Sequence, residues 1–596
     1  MCGIVGALCT HRADLRAEIE TLNIQQAHRG PDNSAVADEG ICWLGNTRLS
    51  IQDPSDAGNQ PFVDPEGRYV TVFNGEVYNF STLIADHDLK VRTGCDTETI
   101  SLLWSLHGPA CLPLLRGMYA IAVFDRVEQR LYLARDPFGI KPLFWRRQPD
   151  RIVFASEVKP LWRLDRSLPL STEALESFLH FGAVAAGSSP FTGIEAVKPG
   201  TCVSFGPCLD ERFEGHVEPL ANPVTDGAAD HLAPMGPLAA ALFDSVQHHL
   251  VSDVPTALLL SAGVDSSAIA FAASRLGEPL LCLTVTGALG QDETAQARAT
   301  VAELGHTHET VPTVLDGSSL SRFFEAMQQP TVDGLNTFLV CRAVAASGFK
   351  VALSGLGGDE ALGGYSTARQ AQLAPLLALT DRLPPGARSA MVRFLRERVP
   401  RLGSTKALRL LGPQGPRTAT GLIELQRELF PPSTIRNLGI PAHSDPPAHP
   451  GIQHGILDKI TAAEVRTYLQ PMLLPDADAF SSASSVELRV PFVDRNFFAA
   501  ASTRRHLRGK RELVRQLGDR YMALLASRPK TGFSVPMQIW MADGVLADQV
   551  REAQASDAPV WSHLDRGLGL DLLRRPSSRW SDRWALAALD GWLRSL

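Results

Sequence analysis

The stretch that most constrains this 596-residue chain is Leu258-Leu-Leu-Ser-Ala-Gly-Val-Asp-Ser-Ser267. The apolar run from Thr256 to Leu260 reads as a buried strand, and a turn of small residues follows it. Ser266 to Leu276 then carries a helical pattern of small and apolar residues. Taken alone, this is an ordinary strand–turn–helix corner of an α/β domain. The same corner, with small residues at the turn, also presents bare backbone N–H groups at a helix N-terminus, where a phosphate binds. Ser261, Ser266 and Ser267 add hydroxyl donors. Asp265 would repel an anion directly, so its carboxylate suits a site in which Mg²⁺ lies between the two. The GxxxxGK[ST] phosphate loop is absent.

The flanking sequence extends this pattern. Leu281 to Val285 reads as a strand, and Gln291 to Arg298 as a helix start with acidic residues in its first turn. Val351-Ala-Leu-Ser-Gly-Leu-Gly-Gly-Asp-Glu360 repeats the strand-then-glycines theme. Strands alternating with helices imply a doubly wound parallel sheet with ligands at the C-terminal strand ends, where both Asp265 and Asp359 fall. Residues 374–399 and 405–411 read as helices, and 441–455 as a Pro/His-rich loop.

The N-terminal third has a different grain. Residues 40–49, 69–73, 118–125, 130–135 and 152–155 are short β-type runs punctuated by Gly, Asn and Asp, and 173–181 looks helical. Residues 206–236 are rich in Pro and Gly without clear periodicity, so a linker is expected there, between a domain over 2–205 and a second over 237–596. The fold class is α/β overall: an α+β sandwich with flanking helices first, then the parallel-sheet domain.

Composition narrows the partners. A net charge of −7 and a pI near 6.2 argue against a nucleic-acid or anionic-membrane surface. The nine cysteines form no CxxC pair or zinc-type spacing, which suits reduced thiols. No apolar run reaches membrane length and the start lacks a basic signal segment, so a soluble, cytoplasmic protein is expected.

Cys2 draws attention by position. Once Met1 is removed, it carries both a thiol and a free α-amine, a nucleophile with its own base. Alone it would be a small buried residue at a strand start. Its company is Met1-Cys-Gly-Ile-Val-Gly6, His28-Arg-Gly-Pro-Asp32, Arg48-Leu-Ser-Ile51, Asn74-Gly-Glu-Val-Tyr-Asn79 and Gly94-Cys-Asp-Thr-Glu98. Arg135-Asp-Pro-Phe-Gly-Ile-Lys-Pro142 and Phe154-Ala-Ser-Glu-Val-Lys159 follow. This ordered series resembles the glutaminase domain of class II glutamine amidotransferases, in the asparagine synthetase branch, an N-terminal-nucleophile (Ntn) fold. Residues 258–267 resemble that branch's pyrophosphate loop, SGGxDSS, in an ATP-pyrophosphatase domain. Asp478 to Asp494 resembles its D-R-x-S-M-A-x-S-x-E-x-R-x-P-F-x-D run, and Arg528-Pro-Lys-Thr-Gly-Phe-Ser-Val-Pro536 its R-P-K-x-G-F-x-x-P.

The resemblance implies roles. Cys2 is the nucleophile, and the Asn74 amide with the Gly75 N–H is the oxyanion pair. Arg48 forks the glutamine α-carboxylate, while Glu76 and Asp96 accept its α-ammonium. Leu260, Ser261, Gly263, Asp265, Ser266, Ser267, Val285, Ser354 and Gly355 bind ATP and pyrophosphate. Asp265 and Asp359 hold Mg²⁺, and Lys530 stabilises charge on the α-phosphate. The implied partners are glutamine, ATP and aspartate or another carboxylate, with no nucleic acid and no membrane; a homodimer is left open. Several departures from the family pattern stand out. Ala262 replaces the loop's second glycine, which limits backbone freedom there, and Ala361-Leu362 replaces Leu-Phe. Leu356, where many members have an acid, and Ala479 and Ser482, for the Arg and Met of the D-R-x-S-M run, bear on the acceptor. The expected reaction is glutamine-dependent, ATP-driven amidation, with aspartate to asparagine as the default. The rivals are amidation of a different carboxylate in tailoring a natural product or polysaccharide, a cyclising ligase of the β-lactam-synthetase or lasso-cyclase kind, and a non-catalytic homologue. Intact Cys2, Arg48, Asn74 and Asp96 argue against the cyclising ligase, and Asp265, Asp359 and Lys530 against the non-catalytic reading.

Overall fold

The computed structural model describes residues 2–217, 235–287, 293–372, 374, 384, 386–387, 390, 416, 418–441, 456–502, 509–527, 535–575 and 578–596. The segments 374–399, 405–411 and 441–455 fall largely outside these residues. Lys530 and most of its Arg528–Pro536 stretch are also outside them.

The N-terminal region is two stacked six-stranded antiparallel sheets. The Cys2–Cys9 strand lies inside the first, between Arg151–Ala155 and Cys42–Arg48. Its period-two alternation sends Ile4 and Leu8 into the gap between the sheets, against Val70, Val72, Ala122 and Phe124 of the second. Val5 and Ala7 face the other way, where the Arg16–Gln25 helix contributes Ile19 and Leu22. The second sheet is centred on the Tyr69–Val77 and Gly117–Asp125 pair, and its outer face is covered by the Asp96–His107 helix through Ile100, Leu103 and Trp104. The result is a helix–sheet–sheet–helix layering.

The C-terminal region is built on a five-stranded parallel sheet in the order Thr307–Thr313, Leu281–Gly287, Thr256–Leu259, Val351–Leu353, Glu487–Arg489. Helices cover both faces. Ala268, Ile269 and Phe271 pack with Leu258 and Leu353 on one side, and Cys341, Val344 and Ala477 with Ala257, Leu283 and Ala352 on the other. The central strands are accordingly continuous apolar runs.

Three local readings differ from the sequence expectation. Residues 206–236, expected to be linker, begin with a strand, Glu211–His216, that pairs antiparallel with Thr201–Phe205. It is an edge strand with little buried surface, so its polar sequence lacks the alternation that marks a half-buried strand. The helix after Leu281–Gly287 begins at Thr294, with Glu293 as its N-cap, so that acid precedes the first turn. The helix after the small-residue turn begins at Val264, two residues early.

The two regions share apolar cores. Phe178, Leu179 and Phe191 cluster with Trp584, Leu589 and Trp592 of the last helix, Trp580–Arg594. Tyr78, Met118 and Phe138 join the core beneath the parallel sheet. Among the described residues no helix is long and apolar enough to cross a membrane.

Candidate active sites

The first site forms where the Cys2 strand lies beside Arg48 and approaches the second sheet. Cys2 is 7% exposed and pairs in register with Arg48. Its backbone N–H donates to Asn74 Oδ1 at 3.0 Å. That bond fixes the Asn74 side chain and leaves its buried Nδ2 without a partner. An orphaned amide donor buried at this depth costs about 1–3 kcal/mol, so its retention beside a thiol points to an acceptor that arrives with substrate. Gly75 comes next with φ +151°, and a Cβ there would stand 2.0 Å from the Met118 carbonyl oxygen. Only glycine lets the strand pass at this separation.

The other expected glutamine contacts surround this point. Asp96 begins its helix, accepts the Val77 N–H at 2.9 Å and is 4% exposed; burial pushes its carboxyl up to about 6. Glu76 is also buried, and burial pushes its carboxyl up against the lowering influence of the Arg489 guanidinium. Its Oε1 accepts from Gln52 Nε2, and its Oε2 lies 3.0 Å from Arg489 Nη2. Arg48 does not present a bare fork. Its Nη1 donates to the Ser55 carbonyl and Asn59 Oδ1, both at 2.9 Å. Its Nη2 donates to the carbonyls of Gln52 at 3.0 Å and Asp53 at 2.5 Å. Arg48 thereby shapes the 52–59 loop.

The second site lies at the C-terminal ends of the parallel strands. The turn after Thr256–Leu259 is tied by its own hydroxyls: Ser266 Oγ accepts from Ser261 N at 3.2 Å, and Ser261 Oγ accepts from Gly263 N at 3.1 Å. Ala262 donates its N–H to Glu293 Oε2 at 3.1 Å and is not among the positive-φ residues, so the Cβ that replaces a glycine brings no left-handed strain. The second glycine loop presses against the first. A Cβ on Gly358 would meet Asp265 Cγ at 2.8 Å, and one on Gly355 would meet Ser266 N at 3.0 Å. Leu260, Ser261, Gly263, Asp265, Ser266, Val285, Ser354, Gly355 and Asp359 all line one cavity of about 1520 Å³. Ser267 instead lies buried under the helix start with its hydroxyl unpartnered.

Lys510, which sequence reasoning missed, completes this site. It sits on the Gly509–Leu517 helix and bridges the two carboxylates, with Nζ 2.5 Å from Asp265 Oδ2 and paired also to Asp359 Oδ1. Burial works against its charge, but the two carboxylates hold it above the ordinary lysine range. Asp265 and Asp359 therefore converge on one cationic position. No group of three or more His, Cys, Asp or Glu suited to a metal occurs among the described residues. Two carboxylates beside a phosphate loop fit Mg²⁺, which is commonly bound by one or two carboxylates together with substrate phosphates.

Buried charges join the two regions. Arg29, fully buried, donates from Nε to the Cys2 carbonyl at 3.0 Å and from Nη2 to both oxygens of Asp478 at 2.8 and 3.0 Å. Arg116 binds Asp244 at 2.6 Å and Asp494 at 2.8 Å. Ser482 Oγ accepts from Arg29 Nη1 at 3.2 Å, so this departure from the family run lies at the join between regions rather than at the cavity. Leu356 does line the cavity.

Known proteins match this chain in two stretches. Residues 1–208 match the glutamine amidotransferase domain model and residues 237–594 the asparagine synthase model. "Asparagine synthetase [glutamine-hydrolyzing] 1" of Bacillus subtilis is 29% identical, covering 96% of this chain and 92% of its own length. A putative asparagine synthetase [glutamine-hydrolyzing] of Mycobacterium tuberculosis is 31% identical, over 92% of this chain and 89% of its own. Asparagine synthetase B of Escherichia coli is 30% identical over 61% of this chain and 65% of its own. With the asparagine synthase model spanning more than half of it, the chain belongs to the glutamine-hydrolysing asparagine synthetase family of ATP-dependent ligases.

Proposed function

We propose that this enzyme makes asparagine from aspartate, with glutamine as nitrogen donor and ATP as the activating substrate. The observation that carries the reading is the pairing of two incomplete polar sites in one chain. One is a thiol beside an unpartnered buried amide donor; the other is a phosphate-type loop whose two carboxylates converge on one cation.

In the first half-reaction the Cys2 sulfur adds to the glutamine carboxamide carbon. Asn74 Nδ2 and the Gly75 N–H receive the developing oxyanion, ammonia leaves, and water then cleaves the thioester. The Cys2 nitrogen, an amide while Met1 is attached, becomes after Met1 removal the amine that takes the thiol proton. Arg48, Glu76 and Asp96 bind the amino-acid head. In the second half-reaction the aspartate β-carboxylate displaces pyrophosphate from ATP, and ammonia then displaces AMP. The 261–267 turn and the 354–358 loop hold the phosphates, and Lys510 and Lys530 carry positive charge to them. Asp265 and Asp359 would hold Mg²⁺, which would supply charge neutralisation for the pyrophosphate leaving group.

The test is pyrophosphate release from ATP, Mg²⁺ and glutamine, with and without L-aspartate, alongside amino-acid analysis. Release that requires aspartate and yields asparagine is the expected result. Release supported only by another carboxylate would move the acceptor elsewhere and make Leu356 the first residue to exchange.

A further inference from the structure

Ammonia made without an activated carboxylate is wasted, so a two-site enzyme gains from a residue that senses both sites. Arg489 is placed to do so. It ends the edge strand Glu487–Arg489 and is fully buried. Its backbone carbonyl accepts the N–H of Ser354, the first residue of the second glycine loop, at 2.9 Å. Its side chain reaches the other way, toward the glutaminase site. Nε donates to Glu487 Oε1 at 2.8 Å, and Nη1 donates to the carbonyls of His249 at 2.8 Å and Val251 at 2.6 Å. Nη2 makes an ion pair with Glu76 Oε2 at 3.0 Å without an aligned hydrogen bond. The Tyr78 ring lies under the guanidinium, 5.6 Å from Cζ.

We infer that Arg489 is a positioning residue that sets how far the Glu76 carboxylate is available to the glutamine ammonium, and that it couples this to occupancy of the ATP loop. The inference rests on reading Glu76 as an ammonium acceptor. Three acceptors pin the guanidinium, so it cannot follow Glu76 when a second cation arrives. The contact that gives is the unaligned one. A shift of Ser354 on nucleotide binding moves the Arg489 backbone, and with it the charge facing Glu76. Linkage makes the effect reciprocal: what nucleotide does to glutamine binding, glutamine does to nucleotide binding.

The experiment uses the full chain and an α,β-methylene ATP analogue with Mg²⁺, which fills the ATP site without turnover. In the wild-type enzyme the analogue should change the KM for glutamine hydrolysis by about 5-fold or more, with kcat changing less. In Arg489→Lys, which keeps the charge but loses the fork, the effect should shrink to less than about 2-fold. Glu487→Gln is the second variant and serves if the first does not fold. With one carboxylate fewer sharing the guanidinium, Arg489 should hold Glu76 more firmly and raise the glutamine KM while leaving kcat in place. Wild-type kinetics indifferent to the analogue would overturn the inference. So would variants that lower thermal stability yet keep the wild-type KM and response. Glutamine hydrolysis surviving in Cys2→Ala would instead remove the glutaminase reading itself, and the inference with it.

Discussion

Replacing Asn74 separates the two things its amide does. Oδ1 holds the Cys2 nitrogen at 3.0 Å, a bond with a net worth of about 1 kcal/mol, whereas Nδ2 has no partner and, in the proposed mechanism, receives the oxyanion. Asn74→Ala removes both. Loss of one oxyanion donor costs about 2.7–4 kcal/mol, so kcat for glutamine hydrolysis should fall by about 10²–10³. The glutamine KM should move little, because the lost interaction is made in the transition state. Asn74→Asp keeps the Oδ1 acceptor and the shape but sets a carboxylate about 4 Å from the oxyanion. At an effective dielectric near 20 that repulsion adds about 4 kcal/mol, so this near-isosteric change should be the more damaging one. Stopped glutamate-release assays on both variants, with ammonia-supported synthesis as the control for folding, give the comparison. Asn74→Ala within about 10-fold of wild type, or Asn74→Asp more active than Asn74→Ala, would refute the oxyanion assignment.

Other outcomes follow from the same geometry. Asp265→Asn should end ATP-dependent pyrophosphate release while glutamine hydrolysis continues, read by running both assays on one preparation. The Asp96 carboxyl, raised by burial to about 6, binds its proton more readily in the folded chain than a free aspartate does. The carboxylate form, which in the proposed mechanism accepts the glutamine ammonium, is therefore lost as pH falls through about 6, and the glutamine KM should climb there; a KM flat from about pH 5 to 7.5 would count against that role. The same sign makes this group's contribution to stability decline as pH rises from the ordinary aspartate range to about 6. Arg116→Met strands the carboxylates of Asp244 and Asp494 at the join between the two regions, and should lower stability by about 3–5 kcal/mol, seen as an earlier thermal transition.

What was legible in the sequence was local. The apolar run ending in Ser261-Ala-Gly-Val-Asp announces a strand, a turn and a helix start because each depends on neighbouring residues. The Asn74-Gly75-Glu76 segment was readable by resemblance, and the structure supplies its reason in the Met118 carbonyl that excludes a side chain at 75. Contacts spanning the chain were not legible. Lys510 lies some 150 residues beyond Asp359, and nothing in its own helix marks it as the cation between two carboxylates. Arg489 stood within a quoted run, yet only the placement of the parallel-sheet edge beside Tyr78 and Glu76 gives it a partner in the other half. The sequence does not show that four loop acceptors hold the Arg48 Nη groups, because those acceptors are three backbone carbonyls and Asn59 Oδ1 placed by the fold of the 52–59 loop. Nor does the place of Ser482 in its run show that tertiary packing sets it against Arg29 rather than in the cavity.

If the proposed function is right, one chain moves the amide nitrogen of glutamine onto a carboxylate activated at a second site. The most direct measurement is transfer of ¹⁵N from amide-labelled glutamine in the presence of ATP, Mg²⁺ and aspartate, comparing wild type with Cys2→Ala. Wild type should give labelled asparagine and Cys2→Ala none, with Cys2→Ala still making asparagine from added ammonia. Label transfer by Cys2→Ala, or loss of the ammonia-supported reaction in a folded Cys2→Ala enzyme, would contradict it.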